Sequence, residues 1–475
     1  MKSGETMKKM KLFSLAWPIF IETALFMLLG MIDVLILSRY DGLAASAVGT
    51  ANQAVSIVTI VFNIISAASA VMISQYLGAG RRRDASLTAA LAIVLPLSFG
   101  ILISAVFLLF PRPLLVLIGA DGQLLDFAGQ YLSIVGGTIF LQAMMAAVSV
   151  IIRSHGLTRI TMYVCAGMNL FNTALDLVLV PRMGVAGAAI ATCAGRLIGC
   201  VLLTVILFTK VEKPSVFRTL IPFPFGQLRM MLKVGVPSAL ETFLYNLSQL
   251  VITMIVLNCL SQNELIAKTY VQSITMLFYL CSLAVGQASQ IMIGHLVGAG
   301  QADEAYRQGC RSHRTALAIM AITCTVGVWL REPLIGLFTD DPKVISLCSD
   351  ILLLNCILEL GRTTNLVLIA CMRGAGDVYF PAICAVLSNW VISVGCSYLL
   401  AVVCGMGIYG LWIALAADEC VRGIMMIIRW KSGAWRAKRV VKESDGEEST
   451  TNQFVLANEK GAVALSPQKE KDRVA

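Results

Sequence analysis

The sequence predicts an all-α polytopic membrane protein with twelve transmembrane helices in two parallel six-helix repeats. Three observations predict it. Hydrophobic residues make up 57% of the 475 positions and charged residues only 14%, where a soluble domain holds about 45–50% and about 25%. Apolar windows of about twenty residues, the length a bilayer core demands, recur along nearly the whole chain. Segments of the first half then return, in order, in the second.

The N-terminal stretch MKSGETMKKMKLF has the basic start of a signal peptide. No small-residue cleavage site follows and the apolar run is too long, so residues 1–11 read as a short N-terminus and 12–38 as a retained helix. The first half, 12–209, continues with helices over 45–77, 86–110, 125–152, 159–181 and 184–209. The second of these six closes at Gly78-Ala-Gly80, where glycine supplies a helix stop and Arg81, Arg82 and Arg83 anchor the loop. The sixth opens with MGVAGAAIA, a small-residue face for close helix packing. Residues 210–227 (KVEKPSVFRTLIPFPFGQ), rich in proline and basic residues, read as the linker between lobes. The second half, 228–430, holds helices over 228–260, 265–297, 310–331, 345–372, 378–403 and 406–429. From 431 to 475 the chain reads as a polar tail of mixed charge, largely disordered.

The repeat rests on five collinear matches. Pro18, Glu22 and Thr23 return as Pro237, Glu241 and Thr242. YLGAGRRRDA (76–85) returns as LVGAGQADEA (296–305), and PLLVLIGAD from Pro113 as PLIGLFTDD from Pro333. RSHG (153–156) returns as RGAG (373–376), and MGVAGAAIA (183–191) as MGIYGLWIA (406–414). Six helices per copy is an even number, so both copies enter from the same side. The repeats are parallel, and two like-oriented lobes around a midplane cavity suit alternating access.

Orientation follows from Lys and Arg. Twenty-four fall on the side that holds both termini, against six opposite: Arg39, Arg112, Arg182, Lys268, Arg331 and Lys343. This bias predicts cytoplasmic termini. It accounts for the net charge of +9 without nucleic acid as a partner.

An acid at the bilayer centre costs about 2.5–3.5 kcal/mol on insertion scales, so the intramembrane acids are the candidates for function. Glu22 and Asp33 share one face of the first helix to within about 20° and lie about 16 Å apart along it. Glu22 sits one turn beyond Pro18, and Glu241 repeats it beyond Pro237. That matched pair reads either as a gate or substrate contact or as partners for backbone groups freed by the prolines. Asp33 has no counterpart in the second half, where Ile252 aligns. Asn172 and Asp176, at i and i+4, lie on one face of the fifth helix. Packed together, Asp33, Asn172 and Asp176 offer two carboxylates and an amide, able to hold a proton or, through oxygen, Na⁺. Glu359 with Arg362, and Glu419 with Arg422, read as self-neutralising i,i+3 pairs, with Arg196 a further partner for Glu419 across the lobes. Asp418 reads as an excess acid near the cytoplasmic end. Met27, Met31, Met144, Met145, Met168 and Met276 read either as a compliant cavity wall or as lipid-facing filler.

Other chemistry finds no support. The fourteen cysteines are scattered singly within apolar segments and read as small hydrophobes. His155, His295 and His313 sit apart at helix ends, so no metal is expected beyond a coupling ion. No GxxxxGK[ST] occurs, which argues against drive by ATP. No HExxH or GxSxG occurs either, which argues against an enzyme. A channel would not need the duplication.

With these residues in place, the chain resembles the multidrug and toxic compound extrusion (MATE) antiporters over about 12–430. The resemblance rests on MIDVLILSRYDGLAASAVG, on QYLGAG with its basic loop, and on NLFNTALDLVLVPRMGVAGAAIAT. RGAGDVYFPA and ALAADECVRG add to it. It implies a V-shaped plasma-membrane transporter, acting as a monomer. Such a protein exports cationic or amphipathic small molecules in exchange for H⁺ or Na⁺, with no cofactor. By motif, Asp33 resembles the family's first-helix acid and Asn172 and Asp176 its fifth-helix pair, the first-lobe cation site. The second half departs from the pattern: Tyr245 stands where one branch has an acid, with Glu241 one turn earlier. Arg362 stands at a second acid position, with Glu359 one turn away, so a second-lobe Na⁺ site is not expected. The nearest alternative is a flippase of a lipid-linked or amphipathic precursor from the same superfamily.

Overall fold

A computed structural model describes residues 11–441 apart from Ile118. The described residues up to 440 pack as one unit. Among the described residues every regular element is helical. Twelve long passages follow one another: α1 (Leu12–Tyr40), α2 (Gly42–Gly78), α3 (Arg82–Leu109), α4 (Gly122–Gly136 with Ile139–Ser154), α5 (Thr158–Met183) and α6 (Val185–Val211). The second half repeats the set as α7 (Phe225–Cys259), α8 (Gln262–Gly298), α9 (Ala302–Trp329), α10 (Pro342–Ala375), α11 (Tyr379–Val403) and α12 (Gly407–Ser432). Short helices Pro111–Leu117 and Arg331–Gly336 follow α3 and α9 at matching places in the repeat.

Local signals set the ends. Asp41 caps α2 by accepting from the Leu43 amide at 2.8 Å, and Ser261 and Glu264 form a reciprocal capping box on α8. Asp341 caps α10 with Pro342 in its first turn, where a missing N–H costs nothing. Most helix ends lie within three residues of the predicted bounds. α9 departs further, beginning at 302 rather than 310. Asp303 and Glu304 occupy its first turn, where carboxylates favour the helix dipole, so polar residues extend the helix out of the apolar layer. α4 is not straight: its two pieces bend by 46°. Gly136 lies at the break, where a β-carbon would overlap the Phe107 side chain.

Ten passages, counting the bent one, are long and apolar enough to cross a membrane. α9 and α12 are as long, at 28 and 26 residues. Asp303, Glu304, Arg307, Arg311 and Arg314 in one, and Asp418, Glu419, Arg422, Arg429 and Lys431 in the other, take them below that composition. Phe26, Leu28, Met31, Val34 and Leu35 of α1 are exposed, the arrangement expected where hydrocarbon is the solvent.

The cores differ between the two ends of the bundle. Toward the end that bears α2–α3 and α8–α9 loops and both described termini, here the basic end, a single core joins the halves. It packs Leu15, Ala16 and Ile19 of α1 with Ala288, Val367, Met372 and Trp430 of the second half. Elsewhere the halves have cores of their own: Leu37, Val48, Phe62, Leu132 and Val185 in the first, and Ile252, Phe278, Ile351 and Trp412 in the second. Shared packing at one end and separate packing beyond it produce a V.

The basic end is clasped by repeat-related contacts. Gln75 Nε2 of α2 donates to the Gly374 carbonyl at 2.8 Å, and His295 Nε2 of α8 lies 2.8 Å from the Ser154 carbonyl. At the same crossing, a β-carbon on Gly78 would overlap the His295 backbone, and one on Gly298 the Gln75 backbone. Gly80 and Gly300, both at φ +74°, supply the helix stops, so each GAG divides its work between a crossing and a turn. Beyond α12, Trp435 is fully buried and stacks on Trp430 at 4.4 Å. The predicted tail therefore begins with ordered packing. Its continuation past 441 and the N-terminus before 11 lie outside the described residues.

Candidate functional site

The first polar cluster lies inside the first half. α1 packs along α5, and the shared face of Glu22 and Asp33 is the one turned to it. The Asp33 and Asp176 carboxyl groups approach within hydrogen-bonding reach. Asn172 stands one turn before Asp176, buried with it. The small residues of α6 make room, since a β-carbon on Gly195 would come 3.2 Å from Asn172 Cβ. Beyond that mutual approach, Asp33 Oδ1, both Asp176 oxygens and both Asn172 amide atoms are buried without a hydrogen-bond partner among the described residues. Arg196 of α6 and the Tyr131 hydroxyl face the cluster; neither was singled out as a member from the sequence. Arg196 is therefore not the cross-lobe partner of Glu419 expected from the repeat.

Two carboxyl groups in contact satisfy one another only when a proton or a cation lies between them. Three oxygen-bearing side chains, from Asp33, Asn172 and Asp176, are what a small hard cation prefers. The cluster suits the exchange of H⁺ or Na⁺.

The second feature is a cavity of about 870 Å³ between the halves. α2 and α4 contribute to its wall from the first half, and α7, α8, α10 and α12 from the second. Glu241, Tyr245 and Arg362 line it, whereas Asp33, Asn172 and Asp176 do not. Of the methionines read as a cavity wall, only Met276 lines it; Met145 and Met168 pack against Gly199 instead, and Met31 is exposed.

Glu22 and Glu241 each meet an arginine rather than a freed backbone group. Arg153 Nη1 lies 3.7 Å from Glu22 Oε1, and Thr161 Oγ1 donates to Glu22 Oε2 at 2.8 Å. Arg373 Nη2 donates to Glu241 Oε2 at 2.6 Å. These are one ion pair repeated, since Arg153 and Arg373 open the matched RSHG and RGAG segments. That alignment is the signal the sequence offers, since Arg153 and Arg373 otherwise count only toward the basic bias that sets orientation.

Deeper in the second half, Arg362 Nη1 donates to Glu359 Oε1 at 2.6 Å and its Nε to Glu419 Oε1 at 3.3 Å. Arg422 Nη2 bonds both Asp418 and Glu419, at 2.8 and 2.9 Å, and Asn365 donates to Glu419 at 3.0 Å. The predicted i,i+3 pairs are present and joined into one network. Asp418 is not an excess acid at a helix end: it lies midway along α12, held by Ser388 and Arg422. Tyr245 faces this network.

A multi-pass bundle of two parallel repeats around a central cavity, with unpartnered acids buried in one repeat, has the build of a membrane transporter. The chain belongs to the MatE family, whose model matches residues 18–178 and again 237–399, once in each half. It is 38% identical over 437 residues to "Uncharacterized transporter YisQ" of Bacillus subtilis (strain 168), covering 91% of this chain and 96% of that one. It is 28% identical over 448 residues to "Probable multidrug resistance protein NorM" of Thermotoga maritima, covering 91% and 94%. A crystal structure of MATE in the bent conformation superposes with a TM-score of 0.83 at 19% identity, covering 91% of this chain and 98% of that one; the likeness is one of fold.

Proposed function

We propose that this transporter is a secondary antiporter of the cytoplasmic membrane, with both termini in the cytoplasm. It exports cationic or amphipathic small molecules in exchange for H⁺ or Na⁺ and acts as a monomer. The observation that carries the reading is the Asp33–Asp176 contact with Asn172 beside it, buried in one repeat and separate from the cavity. The names of the NorM relatives support drug-like cargo.

In this reading the basic end is cytoplasmic, and the closed clasp there belongs to an outward-facing state. α1 is the link between the two sites. Its Asp33 reports the cation cluster, and its Glu22 holds Arg153, which lines the cavity. A cation bound at Asp33, Asn172 and Asp176 draws α1 onto α5 and shifts Glu22 against Arg153, releasing cargo outward. Loss of the cation to the cytoplasm resets the halves. Cation and cargo thus compete through one helix, which is the differential binding that an exchanger needs.

The test is efflux of an amphipathic dye from inverted membrane vesicles under separately imposed H⁺ and Na⁺ gradients. Wild type should respond to one ion. Asp33→Asn and Asp176→Asn should each lose driven efflux at least tenfold while keeping wild-type yield and Tm. Full export by either variant would refute the scheme. The arginines of the cavity favour one further reading, a flippase of a lipid-linked precursor, which reconstituted liposomes separate by asking whether a headgroup changes leaflet.

A further inference from the structure

The cavity wall bears on what is carried, and here the inference rests on the transporter reading and narrows its cargo from cationic or amphipathic molecules to amphipathic ones that bear an anion. Six ionised side chains line the cavity: Arg153, Arg362, Arg373, Arg422, Glu241 and Glu419. Both carboxylates are engaged, Glu241 by Arg373 at 2.6 Å and Glu419 by Arg362 and Arg422 at 3.3 and 2.9 Å. The remaining partners of these arginines, Glu22, Glu359 and Asp418, do not reach the wall. The uncommitted acids Asp33 and Asp176 lie elsewhere. No carboxylate in the wall is left for a permanent cation.

The guanidinium groups are placed differently. Arg153, Arg362 and Arg373 keep side-chain exposures of 20–24%, while Glu359, Asp418 and Glu419 keep 7% or less. Arg362 is thus turned to the cavity with Glu359 behind it, Arg153 and Arg373 are more exposed than Glu22 and Glu241 at 15% and 13%, and Arg422 and Glu419 are buried alike; four arginines against two carboxylates leave the wall net positive. The arginines also have donors to spare. Each guanidinium carries five N–H groups, and among the described residues Arg373 uses only Nη2, on Glu241. Arg153 reaches Gln287 at only 3.4 Å and Glu22 at 3.7 Å, loose contacts that a better acceptor would displace. Arg153 and Arg373 approach the cavity from opposite halves at repeat-related positions. Within two or three turns of them Val150, Leu283, Leu366 and Ile369 supply apolar surface, and Tyr279, Met276 and Trp412 line the cavity farther off.

We propose that the cavity binds amphipathic molecules bearing a carboxylate or phosphate, the anion on Arg153 and Arg373 and the apolar body against Val150, Leu283, Leu366 and Ile369. A planar guanidinium fork matches carboxylate and phosphate oxygens in pairs. A permanent monocation has no such complement in this wall.

The test is equilibrium binding to the purified full-length protein in detergent, with no gradient imposed, so it stands apart from coupling through Asp33. A fluorescent aryl-alkyl carboxylate, its methyl ester and its trimethylammonium analogue are titrated in parallel. The carboxylate should bind at least tenfold tighter than the ammonium analogue. The double variant Glu241→Gln/Arg373→Gln removes one pair without leaving a buried charge. It should weaken the carboxylate at least fivefold, leave the ester unchanged, and keep the wild-type Tm. Tighter binding of the ammonium analogue, equal binding of all three, or no effect of the double variant overturns the proposal. Competition by a short-chain phosphatidic acid and by a soluble aryl phosphate then identifies the source of the anion. Displacement by either supports the site, and displacement by neither overturns it. Anion preference with fully active Asp33 variants marks a failure of the antiport reading alone, and ammonium preference with inactive Asp33 variants a failure of this inference alone.

Discussion

The clasp at the basic end offers the sharpest perturbation. A β-carbon on Gly298 would lie 2.7 Å from the carbonyl carbon and 2.8 Å from Cα of Gln75, and closer still to its carbonyl oxygen. Ordinary carbon contacts are about 3.5–4.0 Å, so Gly298→Ala forces α2 and α8 apart by about 1 Å. The obstacle is backbone on both sides, and no rotamer relieves it. Overpacking of this kind costs about 1–3 kcal/mol, and 2 kcal/mol shifts a two-state balance about 30-fold. Gly78→Ala meets the His295 backbone in the same crossing and should shift the balance similarly. The double variant should fall short of the sum, because once the helices part the second methyl has room. Gly226→Ala is the control, since nothing lies within 4 Å of that position. Spin labels at Arg83 and Gln301, both exposed, in a background with the native cysteines replaced, report the separation by pulsed electron paramagnetic resonance. The Gly298 and Gly78 variants should populate a longer distance and export poorly, and the control should match wild type. An unchanged distance distribution with normal export in Gly298→Ala would show that the crossing is not part of the transport cycle.

The Glu241–Arg373 pair is inward-facing and partly buried, so Arg373→Gln alone should cost about 3 kcal/mol by stranding the acid. Adding Glu241→Gln should recover nearly all of it, since no charge is then stranded, read from thermal melts of the single and double variants in detergent. Trp435→Ala removes a buried ring that stacks on Trp430 and donates to its carbonyl at 3.0 Å; a loss of about 3–5 kcal/mol should appear as a clear drop in Tm, and no change would remove Trp435 from the core. Glu212, in the linker, is pushed up from the usual carboxylate range by burial, against the pull of its Ser86 hydrogen bond. A raised acid in the folded state makes stability fall as pH rises through its titration. Glu212→Gln should therefore match wild type near pH 4 and melt higher at pH 7; parallel curves across that window would contradict the assignment.

How much of this was legible in the sequence divides along physical lines. The spans followed from apolar length, α9 and α12 included, although the charges of those two take them below the composition of the other ten. Asp33, Asn172 and Asp176 stood out because an acid in hydrocarbon is expensive, and helical periodicity put Asn172 and Asp176 on one face of α5. The bend of α4 did not show, since Gly136-Gly137 reads like any small-residue stretch until Phe107 is seen against it. Nor did the double duty of each GAG: a glycine that ends a helix and one that lets two helices cross are the same letter. The arginines are the instructive miss. Lys and Arg near helix ends set orientation, so Arg153 and Arg373 were accounted for as soon as the topology was. The chain carries Glu22 with Arg153 and Glu241 with Arg373 at nearly the same spacing in both repeats, 131 and 132 residues, however, and a duplicated charge of each sign at corresponding places is what an ion pair looks like when it is copied with the fold. One guanidinium can serve both purposes because its long apolar stem lets it leave the boundary at which topology is decided. It turns inward to the cavity between the halves, where the charge it carries bears on selection of cargo as well as on orientation.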